Sequence, residues 1–139
     1  MNPNDKRAVL IEPDGSVKMA WITDSPHTSE LKQTQHFVGG YIEAVRHNQP
    51  NMTAFCDEDG QAKNLPYNML ASSFFNTHIV GNVLVLGPTD SSGDTSGLTP
   101  DQTRIFLTPE GEATLNELIQ SNDESGMDFV EDAFGGELP

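Results

Sequence analysis

The sequence predicts an α+β fold: a small mixed sheet in β-β-α-β-β-α-β order with an acidic, partly helical C-terminal extension. Three observations predict it. Strand-like and helix-like segments alternate without the regular βαβ units of a doubly wound sheet. The stretch Val80 to Leu86 is a near-continuous β-branched and leucine run, the pattern of a central strand buried on both faces. The charge is unevenly spread. Residues 1–90 hold 10 acids and 6 bases, whereas residues 91–139 hold 11 acids and only Arg104. Such blocks form tails or interaction segments.

The elements follow in order. Ala8-Val9-Leu10-Ile11 is apolar and β-prone, Pro13-Asp14-Gly15-Ser16 is a turn signal, and Val17 to Ile22 resumes the strand pattern. This predicts a β-hairpin over roughly 7–22. Ser29 caps a helix from Glu30 to about Val38, which Gly39-Gly40 ends. Tyr41 to Val45 and Met52 to Cys56 read as the third and fourth strands. Asp57-Glu58-Asp59-Gly60 reads as a solvated turn, and Gln61 to Leu65 as a short returning strand stopped by Pro66. Asn68 caps a short helix through Leu70, Ala71, Phe74 and Phe75. Those adjacent phenylalanines cannot both face inward well on a helix packed on one side: either one projects as a contact residue or, the simpler account, the helix is wedged between two surfaces. Trp21, Tyr41, Phe55, Phe74 and Phe75 read as core.

The domain organisation predicted is a compact domain over 1–88, a flexible linker over 89–98, two short helices over 99–121 and an acidic aromatic tail over 122–139. Thr99-Pro100-Asp101-Gln102 fits a capping box with proline at the first helical position. Leu115, Leu118 and Ile119 form the stripe of the second helix.

Several function classes are excluded or disfavoured. The 139 residues carry a formal charge of -14, 35% apolar and 7% aromatic residues. A chain this acidic does not bind nucleic-acid backbone by bulk electrostatics. No run approaches the ~18 apolar residues of a membrane helix. MNPNDKR has no hydrophobic stretch after its charges, so a cytoplasmic setting is expected. With Cys56 alone, neither an intramolecular disulfide nor a multi-cysteine zinc site forms. His27, His36, His47 and His78 show no metal spacing, and no phosphate-loop or nucleophile-elbow motif is present. Neither a metal nor a cofactor is expected.

Val38-Gly39-Gly40-Tyr41-Ile42-Glu43, Asp57-Glu58-Asp59-Gly60, Leu65-Pro66-Tyr67-Asn68 with Ala71, and Ile79-Val80-Gly81-Asn82-Val83-Leu84-Val85 occur in this order. Over residues 8–88 the pattern resembles a family of small domains of unknown function carried by bacteriophages, plasmids and other mobile elements. The resemblance implies a mobile-element origin and a host cytosol. It implies no reaction, cofactor or catalytic residue.

The candidate ligand-binding residues are Gly39, Gly40, Tyr41, Glu43, Asp57, Asn64 and Asn68. Gly39-Gly40 can admit a ligand to the backbone, or serve as helix cap and turn. Glu43, Asp57, Asn64 and Asn68 converge at one end of the sheet if the third and fourth strands pair, where carboxylates and amides hold a polar ligand. Alternatively Asn68 is a helix cap and Glu43 is exposed or paired with Arg46. Near the C-terminus, Met127, Phe129, Val130, Glu131, Asp132 and Phe134 interleave acids with apolar anchors. That is the composition of a segment docking into a basic, apolar groove. The function expected is non-enzymatic: binding and modulation of a host protein with a basic surface through the acidic C-terminal third. The alternative is a small-ligand or nucleotide-sequestering module around Gly39, Gly40, Glu43 and Asn68. A homodimer is permitted but not required.

Overall fold

The structure is a computed structural model that describes residues 3–46, 49, 51–109 and 111–120. Its strands are β1 (Lys6–Ile11), β2 (Val17–Ile22), β3 (Ile42–Val45), β4 (Thr53–Asp57) and β5 (Val83–Leu86). Its helices are α1 (Glu30–Val38), α2 (Met69–Phe75) and α3 (Pro100–Leu107), and residues 111–120 are also helical. The α+β class and the element order agree with the sequence reading. The sheet order is β2-β1-β5-β4-β3. Every neighbouring pair runs antiparallel, so the sheet is uniform where a mixed one was expected.

β5 sits at the centre, and all four of its residues are buried. Alternation along the strands divides the core in two. On one face Val9, Ile11, Ala54, Cys56, Val83 and Val85 pack against α2, against Phe106 of α3 and against Leu115. On the other, Ala8, Ala20, Ile22, Leu84 and Leu86 pack against Val38 of α1. The result is a three-layer sandwich, helices–sheet–helix.

The local signals work as the sequence reading expects. Ser29 Oγ accepts from the Lys32 amide, and Gly39, at φ 95°, closes α1 with its amide donating to Gln35 O. Thr99 and Gln102 form a reciprocal capping box ahead of α3, with proline in its first turn. The segment expected as a linker turns back on itself. Gly87 N donates to Ser96 O, and Leu98 N donates to Arg7 O. Thr89 Oγ1 bridges Thr53 and Thr95. Leu98, Phe106 and Leu115 join the same core as β5, so the packed body continues well past residue 88.

Two expectations are corrected. Residues 61–65 form turns, not a strand: Lys63 N donates to Asp59 O, Asn64 N to Gln61 O and Leu65 N to Gly60 O, leaving no ladder amides. Phe74 and Phe75, by contrast, are both fully buried as the wedged-helix reading expects, with α2 between the sheet and α3. Phe74 meets the Phe106 ring edge-on at 5.0 Å. Tyr41 is 67% exposed, because it precedes β3 at the sheet edge, where no layer covers it.

Asn68 fastens the layers. Its side-chain amide donates to Ile11 O and Gly81 O at 3.0 and 2.8 Å, and its carbonyl accepts from the Ala71 amide. One buried side chain therefore caps α2 and holds the end of β1 to the approach of β5. Replacing it takes a donor from each of two carbonyls, Ile11 O and Gly81 O, and removes the cap. Asn68→Ala is expected to cost about 3 kcal/mol, measured by urea unfolding followed by circular dichroism; a loss no larger than that of an exposed-site substitution would assign the locking role elsewhere.

Candidate functional site

The antiparallel sheet brings the C-terminal ends of β1 and β4 and the N-terminal ends of β2 and β5 to one side. An open cavity of about 630 Å³ lies there. Its walls come from the β1–β2 turn, the end of α1 at Val38 and Gly39, the loop after β4, and Gly81-Asn82 before β5. Pro13, Leu65 and Pro66 make much of the surface apolar. Of the polar wall groups, Asp57 and Lys63 form a defined pair.

Asp57 ends β4, and its side chain is only 1% exposed. Burial of a carboxylate is costly unless it is paired and hydrogen-bonded. Lys63 Nζ donates to Oδ2 at 2.7 Å, and the Asp59 amide donates to Oδ1 at 2.8 Å. Burial pushes the Asp57 pKa up, but the Lys63 and Asp59 hydrogen bonds outweigh it and hold the carboxyl below its ordinary value. The hydrogen bond to Asp57 likewise raises the pKa of Lys63, against the opposing effect of desolvation. The expectation of a solvated acidic turn therefore fails at Asp57 and holds for Glu58 and Asp59, which are exposed. Among the described residues, no three His, Cys, Asp or Glu side chains are grouped to hold a metal ion.

The double glycine serves this pair. Gly39 requires its left-handed conformation as the α1 cap. At Gly40 the constraint is space. A Cβ there would lie 2.7 Å from both Asp57 Oδ2 and Lys63 Nζ, so the backbone passes directly over the ion pair.

The other expected site residues separate. Gly39 and Asp57 line the cavity. Glu43 does not: it pairs in register with Cys56, one position off Asp57, and so points to the opposite face of the sheet. There it borders a second hollow of about 210 Å³ together with His78. Asn64 adopts a left-handed turn conformation at φ 57° and is exposed, while Asn68 is consumed by its three structural hydrogen bonds. Tyr41 contributes its carbonyl, which accepts from the Glu58 amide. Cys56 is buried, and its pKa is raised to about 11, first by burial and then by the Glu43 and Asp57 charges. Its thiol is not an activated nucleophile. The expected partner-binding residues Met127, Phe129, Val130, Glu131, Asp132 and Phe134 lie outside the described residues. Among the described residues no helix is long and apolar enough to cross a membrane.

Sequence reasoning missed Lys63, Leu65, Pro66, Asn82 and the Glu12–Asp14 turn as cavity walls. Their only common signal is position at loop ends that the sheet later gathers.

The comparisons with known proteins agree with this architecture. The family described as "Domain of unknown function (DUF3846)" matches residues 6–109, from β1 through α3, and the chain belongs to it. No curated protein matches the chain significantly. A solved structure titled "Crystal structure of small RNA methyltransferase HEN1" is similar, with a TM-score of 0.50 and 14% identity over 83% of this chain. The match spans 18% of that protein, and the likeness is one of fold alone.

The lowered Asp57 pKa fixes the sign of a pH effect. Its stabilisation is fully present above the ordinary carboxylate value near pH 4 and is lost as pH falls through its own lower value. Asp57→Asn is therefore expected to lose about 2 kcal/mol at pH 7, with the gap from wild type closing as the solution is acidified below about pH 4. Urea midpoints of both proteins across pH check this; a gap independent of pH would mean that the carboxylate charge is not what holds the loop.

Proposed function

We propose that this chain, a member of the DUF3846 family, is a non-enzymatic binding module whose small-ligand site is the cavity walled by Gly39, Asp57, Lys63 and Gly81. The observation that carries the reading is the cavity itself. Its volume of about 630 Å³ falls in the usual range for ligand sites, as does the combination of apolar walls with a few fixed polar groups. The pair of buried Asp57 with exposed Lys63 gives those walls a defined polar marker. The site takes Gly39 and Asp57 from the set expected from sequence and leaves Glu43 and Asn68 out. We place the protein in the host cytosol as a product of a phage or other mobile element, on the strength of the sequence resemblance.

A second reading is favoured by the charge distribution. The net charge of -10 over residues 91–139, against -4 over residues 1–90, suits capture of a host protein with a basic surface by the acidic C-terminal third.

Two experiments test these readings. A small-molecule fragment screen by amide-detected NMR on the full chain is expected to give hits that perturb Gly39, Lys63 and Gly81 together. Pro66→Trp, which fills the mouth from an exposed position, is expected to abolish those hits; hits that survive it, or that map elsewhere, would move the ligand site. For the second reading, a basic host protein is expected to be retained by the full chain, lost from a version ending at Gln120, and weakened by added salt; equal retention by both versions would remove the tail from the interaction.

A further inference from the structure

We propose that the cleft selects a small organic cation: an ammonium or guanidinium on a short apolar stem. The inference rests on the reading of the cleft as a ligand site and names the class of its ligand.

Charge on the walls is the first argument. Glu12 and Asp14 in the β1–β2 turn and Asp57 across from them set three carboxylates against one lining ammonium, Lys63. Both turn carboxylates are held ionised. A hydrogen bond from the Ser16 hydroxyl and one from Lys18 lower Glu12, and the Ser16 amide and hydroxyl lower Asp14. Two charges stand just behind this lining. Lys18 approaches Glu12 at 3.0 Å with a side chain 61% exposed, and Asp59 acts on Lys63. With those included, four carboxylates face two ammoniums, and the balance stays acidic.

The backbone supplies the second argument. α1 directs its C-terminal end at the cleft, with Val38 and Gly39 in the wall. The carbonyls of a final helical turn carry partial negative charge, which favours a cation and opposes an anion.

The third argument is what an anion would lack. Lys63 is the sole cation in the lining among the described residues, and it is already paired with Asp57 at 2.7 Å. A phosphate or carboxylate would have to share the Lys63 ammonium with Asp57 and face Glu12 and Asp14 as well. A nucleotide is thus the wrong chemistry for this cleft. The apolar faces of Pro13, Val38, Leu65 and Pro66 give a hydrocarbon stem its contact area.

The test uses three probes with one stem: 4-phenylbutylamine, 4-phenylbutanol and 4-phenylbutyrate. Each is titrated into the full isotope-labelled chain at physiological salt, which suppresses adsorption of amine to the acidic surface. The amine is expected to shift the Gly39, Lys63 and Gly81 amides together and to bind about tenfold more tightly than the butyrate. The double variant Glu12→Gln/Asp14→Asn, which alters only the turn at the rim, is expected to reduce that preference about fivefold with an unchanged circular dichroism spectrum. Butanol or butyrate binding at these amides as tightly as the amine would overturn the cation assignment and leave the ligand site standing. Amine shifts confined to other acidic surface would also overturn the assignment. Silence of all three probes at the cleft, together with a fragment screen empty there, would overturn the site itself.

Discussion

The sheet consists of two antiparallel ribbons joined by one strand. β1–β2 and β4–β3 each close on themselves, and the described ladders connect them only through β5, which pairs with β1 on one side and β4 on the other. Everything at the functional end inherits this constraint. The pairs Ile11↔Val83 and Phe55↔Leu84 fix how far β1 and β4 extend beyond the centre. They thereby set where the β1–β2 turn and Asp57 stand relative to Gly81 and Asn82. A slip of one residue would exchange Val83 and Val85 with Leu84 and Leu86 between the two cores, which differ in the volume they accept. The register is specified by packing on both faces at once.

Asn68 and Asp57 solve related problems at this end. Each is a polar side chain placed inside the fold, and each is tolerated because every hydrogen bond it requires is available. Among the described residues no buried side-chain nitrogen or oxygen lacks a partner. Asn68 satisfies neutral backbone groups, so it acts as a fastener. Asp57 brings a charge with it, and its partner Lys63 comes from a loop lying at the cavity. The same device that stabilises the loop therefore defines the electrical character of the wall.

Local chemistry made much of this fold legible. Ser29, Asn68 and Thr99 are caps that function through hydrogen bonds within a few residues of themselves, and all three act as their sequence context indicates. The Val80–Leu86 run identified the central strand because burial on both faces leaves no polar alternation. The candidate site was legible only in part. Asp57 and Gly39 were found by type and position. That Glu43 and Asp57 take opposite faces is not legible, since the cross-strand register decides it and register is a long-range property. Gly40 showed as a glycine, but its reason, the ion pair under its backbone, depends on Lys63 arriving from another segment. The burial of Phe74 and Phe75 is legible as that of a wedged helix, but the identity of the second surface, α3, lies some thirty residues later in the chain.

The position of β5 in the chain also bears on biosynthesis. It is translated after both ribbons, so β1, which pairs with it across Val9↔Val85, waits through most of the domain with one row of amides and carbonyls open. β4 waits on its other side for the same partner. An open strand edge beside the apolar sequence Ala8–Ile11 is a template for another chain. The interval between synthesis of β1 and arrival of Val83–Leu86 is therefore when this protein is most exposed to intermolecular pairing, and any truncation ahead of residue 83 would make that interval permanent.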